Sequence, residues 1–133
     1  MIGERLENIK DAFEKLNEIQ LRFGVLTKPY FTDFGLLRNL LYVFRMSSKA
    51  KEQLTAWQRK QFLFVVLWYY SPKTIFGGTM RHGLRNAISR TLRCSSTSLS
   101  HDCRDLYFYY RTYASFKDGV ENCILNIDKI LVC

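Results

Sequence analysis

Residues Phe62–Tyr70, "FLFVVLWYY", form the longest apolar run in the chain, and it is nine residues long. A membrane-spanning helix needs about 20, so the run reads as a buried helix of a soluble protein. Thr55 followed by Gln58 is a capping-box signal, and Pro72 stops a helix after Ser71. Together they predict a helix over 56–70 that is apolar around most of its circumference. Such a helix has to be surrounded, so the rest of the chain must wrap it.

The remaining pattern is helical nearly everywhere. No segment alternates with period two between hairpin dipeptides, and Pro29 and Pro72, the only prolines, sit at natural breaks. The expectation is one all-α domain over 1–133, a compact bundle of five to six helices. A first helix is expected over about 3–23, a second over 34–46 capped by Thr32 or Asp33, a fourth over 84–93 and a fifth over 96–113. The last should open with Ser115 and Asp118 and use Phe116, Val120, Cys123, Ile124, Ile127, Ile130 and Leu131 as its inner face. The high aromatic content, ten Phe, eight Tyr and two Trp, suits a well-packed core.

In the first helix, Ile2, Leu6, Ile9, Phe13, Leu16 and Phe23 recur at heptad spacing, with Gln20 in the remaining slot. Two readings follow. The helix docks on its own core, or it is a dimerisation helix held by Leu6, Ile9, Phe13 and Leu16.

The net charge of +8 is unevenly placed. Residues 38–93 carry eleven Lys or Arg against Glu52 alone, while residues 1–22 and 94–133 are each close to neutral. A one-signed central block favours an acidic partner, nucleic acid foremost.

The block ends in "LRNAISRTLRCSSTSLSHDCRDL", residues 84–106. On helices, Leu84, Ala87, Ile88 and Leu92 share one face of a first element, and Leu99, Cys103 and Leu106 share one face of a second. The link "RCSS" allows only a tight turn, after which Ser95 can cap the second helix. The order resembles the helix-turn-helix repressors that read L-A-x-x-L-G-V-S-x-x-T-I-x-x-D-L-x-x-L. Ile88, Leu92, Cys94, Ser95, Leu99, Asp102, Cys103 and Leu106 match in register. Ser89 stands where Ala is usual, Arg93 in the turn-glycine slot and Ser98 where Thr is common. No hairpin follows in "YFYYRTYASFKDG", so no wing is expected.

The resemblance implies sequence-specific binding of double-stranded DNA. The second helix would enter the major groove and offer Ser96, Thr97, Ser100, His101 and Arg104 to base edges. Lys73, Arg81, Arg85, Arg90 and Arg93 would hold phosphates. By analogy the chain would be a cytoplasmic transcription regulator, or an accessory factor of a phage or mobile element, working as a homodimer. The alternatives are a DNA-recognition subunit of a larger assembly, such as a small-terminase-like protein, and a basic helical module that binds proteins.

Other chemistries fit less well. The four cysteines, Cys94, Cys103, Cys123 and Cys133, follow a charged N-terminus without signal-peptide character, so free thiols are expected. Cys94, His101 and Cys103 lack a C-x2-C pair, and His101 and Cys103 diverge on a helix, so neither zinc nor Cys/His catalysis is expected. "FGGTMRHG" lacks the phosphate-loop order, and His82 reads as a loop residue. The aromatic run 107–113 suits core packing or base stacking. No enzyme and no cofactor are expected.

Overall fold

The computed structural model of the chain describes residues 1–132. It is all-helical, with seven α-helices and no strand among the described residues: α1 (Ile2–Leu26), α2 (Leu37–Ser48), α3 (Ala56–Tyr70), α4 (Leu84–Leu92), α5 (Ser96–Asp102), α6 (Leu106–Thr112) and α7 (Ala114–Ile127). Short 3-10 turns cover Phe34–Leu36 and Pro72–Phe76, and a π-type turn covers Asp128–Val132. None of the helices is long and apolar enough to cross a membrane.

α3 is the centre, and its boundaries follow directly from local chemistry. The Thr55 hydroxyl accepts from the Gln58 N–H at 3.1 Å, and the Gln58 side chain accepts from the Thr55 N–H at 3.0 Å. Nine of its residues are buried, Gln61 through Leu67 with Tyr69 and Tyr70. α2 and α7 pack on it and on each other, and the Pro72–Phe76 turn closes its C-terminal end. Polar groups carried into this core have partners. Gln61 Nε2 donates to the carbonyls of Ser115 and Phe116. The Tyr70 hydroxyl donates to the Asp33 carbonyl at 2.6 Å, and that of Tyr69 to the Asp128 carboxylate at 2.6 Å. Gly119 lets α7 approach α3 closely: a Cβ there would lie 2.5 Å from Gln61 Nε2. Burial holds the hydroxyl of Tyr69 well above the ordinary tyrosine range and pushes that of Tyr70 up to about 12.

Four expectations need correction. The helix count is seven rather than five or six, because the segment expected as one helix over 96–113 is two. The backbone turns left-handed at Asp105 (φ 59°), which separates α5 from α6 even though Leu99 and Leu106 both stay buried. The second helix begins as a 3-10 turn, where Asp33 Oδ1 accepts from the Gly35 N–H at 2.8 Å. Ser115 is no cap: α7 starts at Ala114 without a side-chain cap. Finally, α1 does not dock on the core. It has no buried residue and makes no substantial packing with any other element.

The aromatic run resolves mainly as packing. Trp57 lies edge-on to Tyr109, Tyr113 and Phe116, and Phe64 stacks on Tyr110 at 5.0 Å. Tyr107, Phe108 and Tyr113 stay exposed.

Candidate nucleic-acid interface

α4 and α5 are joined by the three residues Arg93–Ser95. Leu84, Ala87 and Ile88 anchor α4, and Leu99 anchors α5. The link is tight because Arg93 adopts a left-handed conformation (φ 56°, ψ 47°), which lets the Cys94 N–H donate to the Ser89 carbonyl at 3.1 Å. The Ser89 hydroxyl also donates to the Cys94 carbonyl. Arg93 therefore does in the turn what glycine usually does, at a steric cost of roughly 1 kcal/mol. Ser95 then caps α5, its hydroxyl accepting from the Ser98 N–H at 3.2 Å.

An ion pair also ties α5 to α3. The buried Asp102, the last residue of the helix, accepts from Arg59 Nε on α3. That pairing holds the Arg59 guanidinium above its ordinary range, the hydrogen bond to Asp102 outweighing desolvation. Cys94 and Cys103 fill half-buried slots beside it. Burial raises both thiols, Cys103 to about 11, so at neutral pH they are protonated and act as small apolar side chains. Among the described residues, no three His, Cys, Asp or Glu side chains converge as metal ligands would.

Of the residues assigned to base reading, Ser96, Thr97, His101 and Arg104 are exposed and Ser100 is half-buried. Arg104 lies past the end of α5, where its N–H donates to the His101 carbonyl at 3.2 Å. One more helical turn thus carries it towards the side of His101. Of the residues assigned to phosphates, Lys73, Arg85, Arg90 and Arg93 are exposed. Arg81 is half-buried, donates one N–H to the Phe31 carbonyl at 3.2 Å and lies over the Phe34 ring. Its guanidinium pins the segment before α2.

Sequence reasoning missed the feature that gathers most charge. A cleft of about 640 Å³ opens between α2 and α4, lined by Arg38 and Arg45 from one side and Arg90 and Arg93 from the other. Tyr42 and Glu52 share it, and a smaller hollow of about 370 Å³ adjoins it through Arg38 and Arg90. Among the described residues, none of the four arginines is in an ion pair. Arg45 donates one guanidinium N–H to the Glu52 backbone carbonyl, while its buried Nε has no partner. Arg38 and Arg45 are seven residues apart, two turns along one helical face. That spacing within the basic block was the available signal; their meeting with Arg90 and Arg93 is purely tertiary.

Compared with protein-family models, with characterised proteins and with solved structures, the chain matches none.

Proposed function

We propose that this protein binds double-stranded DNA, with α4, the Arg93–Ser95 link and α5 serving as a helix-turn-helix. The observation that carries the reading is the cleft: among the described residues, Arg38, Arg45, Arg90 and Arg93 share it without an ion pair, and Glu52 is the one acid on its lining. Like charges brought together repel unless a polyanion neutralises them, and a phosphate backbone does so while releasing its counterions. In this reading one DNA strand runs past the cleft and along exposed Arg85. α5 lies in the major groove, with Ser96, Thr97, His101 and Arg104 towards base edges and Ser100 behind them. Arg104 suits guanine; the hydroxyls suit bases or phosphates. A role in regulation, or as an accessory factor of a mobile element, is in keeping with a small basic protein of this kind.

The test is fluorescence anisotropy on labelled duplexes at a series of salt concentrations. Binding should weaken steeply as salt rises. Arg104→Ala and His101→Ala should flatten sequence preference, whereas Arg85→Ala should weaken all duplexes alike and reduce the salt slope by about one. Absence of binding to any duplex at low salt would overturn the proposal.

A further inference from the structure

α1 presents an apolar seam without a cover. Leu6 is 60%, Phe13 63%, Ile19 64% and Phe23 54% exposed, on a helix with no buried residue. Most helical stability in proteins comes from packing of an apolar face, so an uncovered seam calls for a partner. In heptad terms Leu6, Phe13 and Gln20 take the a positions, and Ile2, Ile9, Leu16 and Phe23 take d.

We propose that α1 pairs with α1 of a second copy of this chain, antiparallel, in the register that sets Phe13 against the partner's Leu16. Charge selects this arrangement. The positions flanking the seam are Gly3, Lys10, Asn17 and Gly24 on one side and Arg5, Ala12, Ile19 and Leu26 on the other. In a parallel pair, Arg5 of each helix lies beside the partner's Lys10, which places two cation–cation contacts at the interface. In the antiparallel pair, Lys10 falls beside the partner's Asn17, Arg5 beside the partner's Leu26 and Ala12 beside the partner's Ile19. No like charges meet. Leu6 packs on the partner's Phe23, and Gln20 meets the partner's Ile9. Shifting the antiparallel register back by one heptad would bring the two Lys10 side chains together and leave the last turn of α1 uncovered.

The area is sufficient. Ile2, Leu6, Ile9, Phe13, Leu16, Ile19, Phe23 and Leu26 are all exposed. At on the order of 100 Å² each, they approach the ~800 Å² per partner of a stable interface. The remaining face of α1 mixes Glu4, Glu7, Asp11, Glu14 and Glu18 with Lys15 and Arg22.

Sedimentation equilibrium of the full chain, without DNA, tests this independently of the nucleic-acid reading. The wild type should be a dimer and Leu16→Glu a monomer. Asn17→Glu should tighten the dimer several-fold, because it places Glu beside the partner's Lys10 twice along one edge; Lys10→Glu should not tighten it. A wild type that is monomeric throughout the micromolar range would overturn the proposal. So would an assembly larger than a dimer, or the reverse pattern, with Lys10→Glu tightening and Asn17→Glu not, which marks a parallel pair.

Discussion

Two surfaces of this molecule are unsatisfied in opposite ways. Along α1 the charges are balanced and the apolar side chains lack cover. Around the α2–α4 cleft four arginines face Glu52 alone and, among the described residues, none of them is in an ion pair. The first kind of surface is completed by another apolar seam, the second by an anion. In the proposed reading, the difference separates what would hold two copies together from what the protein would hold. Salt distinguishes the two: screening weakens the cleft's interactions strongly and those of an apolar seam little.

The strongest way to break the comparison is to empty the cleft. Replacing Arg38, Arg45, Arg90 and Arg93 together with Ala should lower duplex affinity at low salt by on the order of a thousandfold. Self-association in sedimentation should stay as it was. If both properties fall together, the two surfaces are not separate.

Next in size is the link between the cationic side and the core. Asp102→Ala removes the partner of Arg59 and the tie between α5 and α3. Because Arg59 keeps access to water (29% exposed), the cost should be about 1–3 kcal/mol, below that of a fully buried pair. Urea denaturation measures it. Sequence preference should fall further than overall affinity, since α5 loses its orientation while the arginines of the cleft remain.

A smaller effect, and a more discriminating one, is expected at the turn. Arg93→Gly relieves a left-handed residue and should raise stability by roughly 0.5–1 kcal/mol in the same denaturation experiment. It also removes one arginine from the cleft, so duplex affinity should fall about tenfold. Opposite signs in the two measurements would show that Arg93 stands in a glycine slot for its charge. A loss of stability would mean that the side chain also supports the turn.

How much of this was legible in the sequence depends on how local the cause is. The limits of α3 were legible to the residue, because Thr55, Gln58 and Pro72 act on backbone groups within one turn of themselves. The Ser95 cap and the apolar slots of Cys94 and Cys103 were legible for the same reason. The break at Asp105 was not: Leu99, Cys103 and Leu106 keep helical spacing across it, and a left-handed residue leaves no mark on hydrophobic period. The fate of α1 was open, since docking and pairing demand the same heptads. The charge of Arg81 is visible in sequence, while the Phe31 carbonyl it donates to is fifty residues away. The cleft was hidden likewise, being made where two basic helical faces meet.

The most direct test of the account is the affinity of the wild-type chain for duplex DNA as salt is raised, plotted as log affinity against log salt. The four cleft arginines with Arg85 predict a line falling with a slope of about −4 to −5, at roughly 0.9 for each phosphate neutralised. Binding that is indifferent to salt, or absent at low salt, would contradict it.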